Sequence, residues 1–114
     1  MIDDDITSLD IVSLLFEDRG YQVHRCAGGG EALDLLGAQQ FELVLIDMMM
    51  PGLNGVDTVT EMRTRALTDS PIIAFTATDD PELHKQACEA GCNKVLLKPI
   101  QSKKLIAEIE ELLS

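Results

Sequence analysis

Residues 43–55, LVLIDMMMPGLNG, set four branched aliphatic side chains directly against an aspartate and follow them with three methionines, a Pro-Gly pair and a second glycine. An apolar run without polar alternation fits a strand buried on both faces of a sheet. Asp47 then stands at the carboxyl end of that strand, and Pro51, Gly52 and Gly55 shape the loop that leads onward. A strand covered on both faces requires helices on both sides of the sheet, so the rest of the chain must supply them.

It does so with a regular beat. Met1 and Ile2 run into Asp3, Asp4 and Asp5 as the tail of a first strand. Residues 7–19 place Ile11, Leu14 and Leu15 on one helical face and stop at Gly20. YQVHRC alternates as a second strand, and GGEALDLLGA supplies a short helix with Leu33 and Leu36 inward. After the third strand, FELVLID, Asn54 can cap a helix running to about residue 65 with Val56, Val59 and Met62, and Pro71 introduces a fourth strand, IIAFT. Pro81 suits the first turn of the next helix, which ends at Gly91. KVLLK is the fifth strand, and Ser102 caps a last helix carrying Leu105, Ile109 and Leu112. Strands joined through helices run parallel, so the expected architecture is a doubly wound five-stranded α/β sheet forming one domain over residues 1–114.

Composition narrows the function classes. The 114 residues are 46% hydrophobic and 25% charged, ordinary for one globular domain. A formal net charge of -11 repels phosphate backbones, and one tyrosine with three phenylalanines offers little for stacking on bases, so direct nucleic-acid binding is not expected. No apolar run approaches the roughly 20 residues that span a bilayer, and the acidic start is unlike a signal segment, which points to a cytoplasmic chain without membrane contact. Cys26, Cys88 and Cys92 are an odd set that reads as reduced, packed thiols. His84, Cys88 and Cys92 are spaced by four, but Gly91 reads as a helix end and argues against a metal face there.

In sheets of this kind, ligands bind outside the carboxyl ends of the strands. Those ends carry Asp3, Asp4 and Asp5 on the first strand, Asp47 on the third, Thr76 on the fourth and Lys98 with Pro99 on the fifth. The second ends in Cys26, Ala27 and Gly28, which carry nothing reactive, and is expected at an edge. Each of these residues alone has an ordinary reading: a solvated acidic loop, a turn aspartate, a strand-end threonine, an exposed lysine. Together they describe one pocket. Clustered carboxylates favour a hard divalent cation such as Mg2+, and a cation beside a lysine invites a phosphoryl group. Asp47 can then act as nucleophile, with Lys98 and Thr76 contacting the phosphoryl oxygens.

At this point MIDDD, LVLIDMMMPGLNG, IIAFTATDD and AGCNKVLLKPI resemble, in order and at about the same spacing, the motifs of the CheY-like receiver domains of bacterial two-component response regulators. The resemblance covers essentially the whole chain. It implies strand order 2-1-3-4-5, Asp47 as phosphoacceptor, and Asp3 and Asp4 as the acidic pair for Mg2+, with Asp4 the more direct ligand and Asp5 just beyond. It further implies the Met49 backbone carbonyl as a metal ligand, Thr76 as the signalling hydroxyl, Ala77 as the small residue keeping the site accessible, Lys98 as the phosphate contact and Lys98-Pro99 as a cis bond. The implied partners are a sensor histidine kinase or a histidine phosphotransfer protein. The implied output surface, also a phosphorylation-dependent dimer surface, is formed by the helix after Pro81, the KVLLK strand and the last helix.

Two departures stand out. Val95 occupies a position where the family often has tyrosine or phenylalanine, and Ile2 alone follows Met1 before the acidic pair, where the family usually has several more aliphatic residues. The expected activity is a phosphorelay receiver that does chemistry only on itself; its first strand is either unusually short or trimmed from a longer chain, and a free-standing regulator, a regulator with a DNA-binding tail and a hybrid sensor kinase all fit this sequence. The alternatives are a non-phosphorylated interaction module on the same fold and a haloacid-dehalogenase-like phosphatase, which needs a second aspartate where Met49 stands. A nucleotide-binding flavodoxin-like domain is weaker, since GGGEAL follows the second strand and lacks GxGxxG spacing.

Overall fold

The apolar run becomes strand β1 (Val44–Asp47), buried at all four residues. In the computed structural model, residues 1–2, 6–48, 55–77, 79–98 and 101–113 are described. β2 (Ile72–Thr76) lies parallel to β1, with Val44 opposite Ile72 and Asp47 opposite Phe75. β3 (Lys94–Leu97) lies parallel on the far side of β2, with Thr76 opposite Leu97, so the order is β1-β2-β3. The helices are α1 (Ile6–Glu17), α2 (Gly29–Ala38), α3 (Gly55–Thr64), α4 (Pro81–Ala90) and α5 (Ser102–Leu113).

Alternation along the strands divides the core into two layers, because successive side chains point to opposite faces. Val44, Ile46, Ile72 and Ala74 pack with Leu33 and Leu36 of α2, Val59 and Met62 of α3 and Ala87 of α4. Leu45, Ile73, Phe75 and Leu96 pack with Val12 and Phe16 of α1 and with Leu105 and Ile109 of α5. The parallel α/β class read from the sequence is therefore present, with helices on both faces.

One expectation is met in part and another needs correction. Five strands were expected, whereas the described residues form three. The other two appear only as single bridges, Ile2 with Cys26 and Ile2 with Ile46, both parallel. Leu14 was expected inward and is 66% exposed, while Val12 and Phe16 are buried. The helical period was right and Leu15 packs partly buried against that layer, but Leu14 points away from it. Phe16 anchors that face, meeting Tyr21 edge to face with ring centroids 5.8 Å apart.

The helix ends explain much of the remaining geometry. Gly91 closes α4 at φ 128, a left-handed conformation open to glycine, and the Arg63 side chain occupies the space a Cβ would fill. Arg63 donates from Nε and Nη2 to the Gly91 carbonyl (3.2 and 3.0 Å), and from Nη1 to the Thr68 carbonyl (2.9 Å). One guanidinium thus ties the end of α3 to the end of α4. At the other end of α4, Pro81 takes the first turn and the Asp80 carboxylate accepts from the Glu82 N–H at 3.0 Å. Asp80→Ala removes that cap and is expected to cost about 1 kcal/mol, read as a lower urea midpoint with an unchanged slope.

Candidate functional site

The carboxyl ends of the strands converge because parallel pairing brings them to one edge of the sheet. Asp47 ends β1 and is 4% exposed. Its backbone is held from both sides: the Asp47 N–H donates to the Ile2 carbonyl at 2.8 Å, and the next N–H, of Met48, donates to the Phe75 carbonyl at 2.8 Å. Thr76 ends β2 and is fully buried, and the Thr76 carbonyl accepts from the Lys98 N–H at 2.8 Å. That bond places Lys98 just past β3, where its Nζ donates to Asp47 Oδ2 at 2.9 Å.

The lysine and aspartate are 51 residues apart in sequence, and their side chains are 25% and 6% exposed respectively. An ammonium-carboxylate contact at this distance is a charge-assisted hydrogen bond in a partly desolvated setting, stronger than its surface counterpart. Ala77, immediately after Thr76, is exposed and contributes no bulk beyond a methyl group.

Gly55 was assigned only to loop shape by the sequence, yet it has a more exacting role. It begins α3, and its N–H donates to the Met48 carbonyl at 3.2 Å. A Cβ there would stand 2.5 Å from the Met48 Cα and 2.8 Å from the Asp47 carbonyl oxygen. The start of α3 therefore rests on the backbone that presents Asp47. Met48 is itself 2% exposed and packs in the layer beneath α2 and α3, which accounts for the first of the three methionines as a core residue.

The structure thus brings Asp47, Thr76, Ala77 and Lys98 to one edge. Val95 lies further back on β3, opposite Ala74, and packs against the α2, α3 and α4 layer. Asp3, Asp4, Met49 and the Lys98-Pro99 bond fall outside the described residues. Ile2 is bridged to Ile46, the residue before Asp47. Among the described residues no three His, Cys, Asp or Glu side chains gather as a metal cluster. The Asp47 carboxylate offers oxygen donors at this edge, the ligand type that suits a hard cation such as Mg2+.

The thiols lie elsewhere. Cys26 and Cys92 are buried and Cys88 is exposed. Burial pushes the Cys92 thiol up to about 12, which makes it a packed apolar group at neutral pH.

The family model described as the response regulator receiver domain matches residues 1–110. The chain belongs to the response regulator receiver family. It is 35% identical over 113 residues to the transcriptional regulatory protein CpxR homolog of Haemophilus influenzae, covering 99% of this chain and 48% of that protein. Among solved structures, the chemotaxis protein CheY4 of Vibrio cholerae superposes with a TM-score of 0.92 at 28% identity, covering 98% of this receiver and 94% of that chain. A response regulator from Burkholderia pseudomallei, solved with a phosphorylated aspartic acid, a calcium ion and citrate, superposes with a TM-score of 0.84 at 26% identity, covering 98% and 71%. The receiver spans about half the length of the curated relatives it matches. Its role is that of a receiver domain in two-component phosphorelay signalling. No helix among the described residues is long and apolar enough to cross a membrane.

Proposed function

We propose that this receiver takes a phosphoryl group from a phosphohistidine onto Asp47 and signals by a shift in conformation. The observation that carries the proposal is the 2.9 Å contact between Lys98 Nζ and Asp47 Oδ2 at the carboxyl edge of the sheet, with buried Thr76 ending the adjacent strand. The Asp47 carboxylate attacks phosphorus, an acyl phosphate forms, the P–N bond breaks, and the donor imidazole leaves with a proton. Lys98, already beside the carboxylate, turns to a phosphoryl oxygen, and the Thr76 hydroxyl follows. Exposed Ala77 leaves the approach open. Asp3, Asp4, Asp47 and the Met49 carbonyl would hold Mg2+. When bound, the ion supplies positive charge against the phosphoryl oxygens. The Burkholderia relative, with its phosphorylated aspartate and calcium ion, supports this assignment by similarity.

The same reading completes the sheet in the order 2-1-3-4-5, with the segments at Cys26 and Ile2 as the two further strands, and takes residues 1–114 as one receiver unit in the cytoplasm. The only reaction in it is the receiver's own phosphorylation and dephosphorylation, and the Lys98-Pro99 bond is cis. The donor is a sensor kinase or phosphotransfer protein. The response is read, and a dimer formed, at α4, β3 and α5. There Val95 provides no large ring to swing behind Thr76, so the coupling runs through Thr76 and aliphatic packing.

Incubation with Mg2+ and a small phosphodonor is expected to add one phosphoryl group by intact mass, and chelation to prevent it. No mass gain would overturn the phosphoacceptor assignment, and a metal-independent rate would remove Asp3 and Asp4 from the mechanism.

A further inference from the structure

β3 delivers Lys98, yet its own residues leave its register open. KVLLK is nearly symmetric, with a lysine at each end and Val95, Leu96 and Leu97 between. Val95 packs partly buried against the α2, α3 and α4 layer, and Leu96 is buried in the α1 and α5 layer. A slip of one residue along β2 therefore exchanges aliphatic for aliphatic, at little hydrophobic cost. Its chemical cost is large. Successive side chains point to opposite faces, so such a slip puts Leu97 or Pro99 in the place of Lys98. It also moves the backbone by about 3.3 Å, more than the 2.9 Å between Lys98 Nζ and Asp47 Oδ2.

The group that fixes the register stands at the other end of the strand. The Asn93 N–H donates to the Ile72 carbonyl at 2.8 Å, and the Asn93 side-chain Oδ1 accepts from the Ile72 N–H at 2.9 Å. Asn93 thus meets both backbone groups of the first residue of β2, and only one alignment of the strands allows that. The same oxygen accepts a charge-assisted bond from Arg63 Nη2 at 3.2 Å, and that nitrogen also donates to the Gly91 carbonyl. Arg63 belongs to α3, whose first residue rests on the Met48 backbone, so one helix touches the strand end that carries Asp47 and the residue that aligns the strand carrying Lys98. From Asn93 the ladder runs through Lys94 opposite Ile73 to Leu97 opposite Thr76, and ends at the Lys98 N–H on the Thr76 carbonyl. Lys94 is a looser guide. Its ammonium reaches both Glu108 and Glu111 of α5, and a flexible stem serving two carboxylates accommodates a shift that an amide on one backbone N–H does not.

We propose that Asn93 is a positioning residue for the phosphoryl chemistry. Its side chain, braced by Arg63, pins β3 to β2 in the register that brings Lys98 to Asp47, acting from about 16 Å along the strand. The effect on rate rests on Asp47 as the phosphoacceptor, whereas the effect on register does not.

The test measures phosphoryl uptake from a small acyl phosphate with Mg2+ by intact mass, and amide exchange at Lys98, at a temperature where each variant is folded. Asn93 is exposed, so trimming it leaves the core untouched. Asn93→Ala is expected to slow uptake by roughly tenfold or more, against the roughly hundredfold that a misplacement of about 1 Å can cost. It should also speed exchange of the Lys98 amide by about tenfold. Asn93→Asp keeps the accepting oxygen and is expected to restore both. In a Lys98→Ala background, Asn93→Ala is expected to change uptake by less than about twofold, because it acts through the lysine. An equal loss in that background, no rescue by Asn93→Asp, the same loss from Lys94→Met, or unchanged exchange at Lys98 would each overturn the proposal. Absence of uptake by the wild-type chain would instead defeat Asp47 as acceptor, and exchange at Lys98 would still decide the register.

Discussion

Asp47→Asn is expected to abolish phosphoryl uptake from a small donor while leaving the fold intact. The substitution keeps the shape of the side chain and retains an oxygen that can accept from Lys98 Nζ, which stands 2.9 Å from the carboxylate in the native chain. It removes the negative charge and the nucleophilic oxygen, and an amide does not attack phosphorus under these conditions. The loss should be complete within the detection of intact-mass measurement, with an unchanged far-UV spectrum as the control. Asp3, Asp4 and Asp5, which follow Ile2 in the sequence, are further carboxylates in the chain. Full phosphorylation of Asp47→Asn would move the acceptor to one of them and overturn the assignment of Asp47.

Gly55→Ala carries the largest expected structural effect of a single methyl group. The new Cβ would lie 2.5 Å from the Met48 Cα and 2.8 Å from the Asp47 carbonyl oxygen. Both contacts are with backbone, and that backbone is fixed by the bonds from the Asp47 and Met48 N–H groups to Ile2 and Phe75. Neither side can yield by a side-chain rotation, so α3 must lift or β1 must shift. The expected cost is roughly 2–3 kcal/mol, the range for overpacking a filled core, read as a lower urea midpoint. A second consequence distinguishes this position from an ordinary core site. Because the displaced backbone presents Asp47, the residual folded protein should also phosphorylate more slowly under conditions where the wild type is fully folded. A stability within 0.5 kcal/mol of wild type, roughly the spread for surface changes remote from packing, would show that α3 is free to move.

The placement of Asp47, Thr76 and Lys98 was legible in the sequence because these side chains stand at strand ends, and strand ends are marked locally. LVLI stops at Asp47, IIAFT stops at Thr76 and KVLLK ends in Lys98, so parallel pairing alone brings the three together. Gly55 gave only a turn signal, since nothing in a linear pattern states which backbone will approach a glycine. Arg63 gave none, reading as an ordinary basic residue near a helix end, yet it bonds Gly91 and Thr68 and ties two helices together. Leu14 shows the same limit from the other side. Several apolar residues in α1 are compatible with an inward stripe, and the choice of Val12 and Phe16 is made by the sheet and α5 against which they pack.

The sequence by itself determined the α/β class, the positions of the helices, β1, β2 and β3, and the identities of the groups at the carboxyl edge. Period and punctuation are properties of contiguous residues, and they report which face of an element is apolar and where it stops. Only the tertiary structure decided the 2.9 Å pairing of Lys98 with Asp47, the seating of Gly55 on the Met48 backbone and the helical phase of α1. It also decided that Ile2 makes one bridge on each side where a strand had been expected. These are distances between segments far apart in the chain, set by how two layers of helices close on one sheet, and no local pattern encodes them.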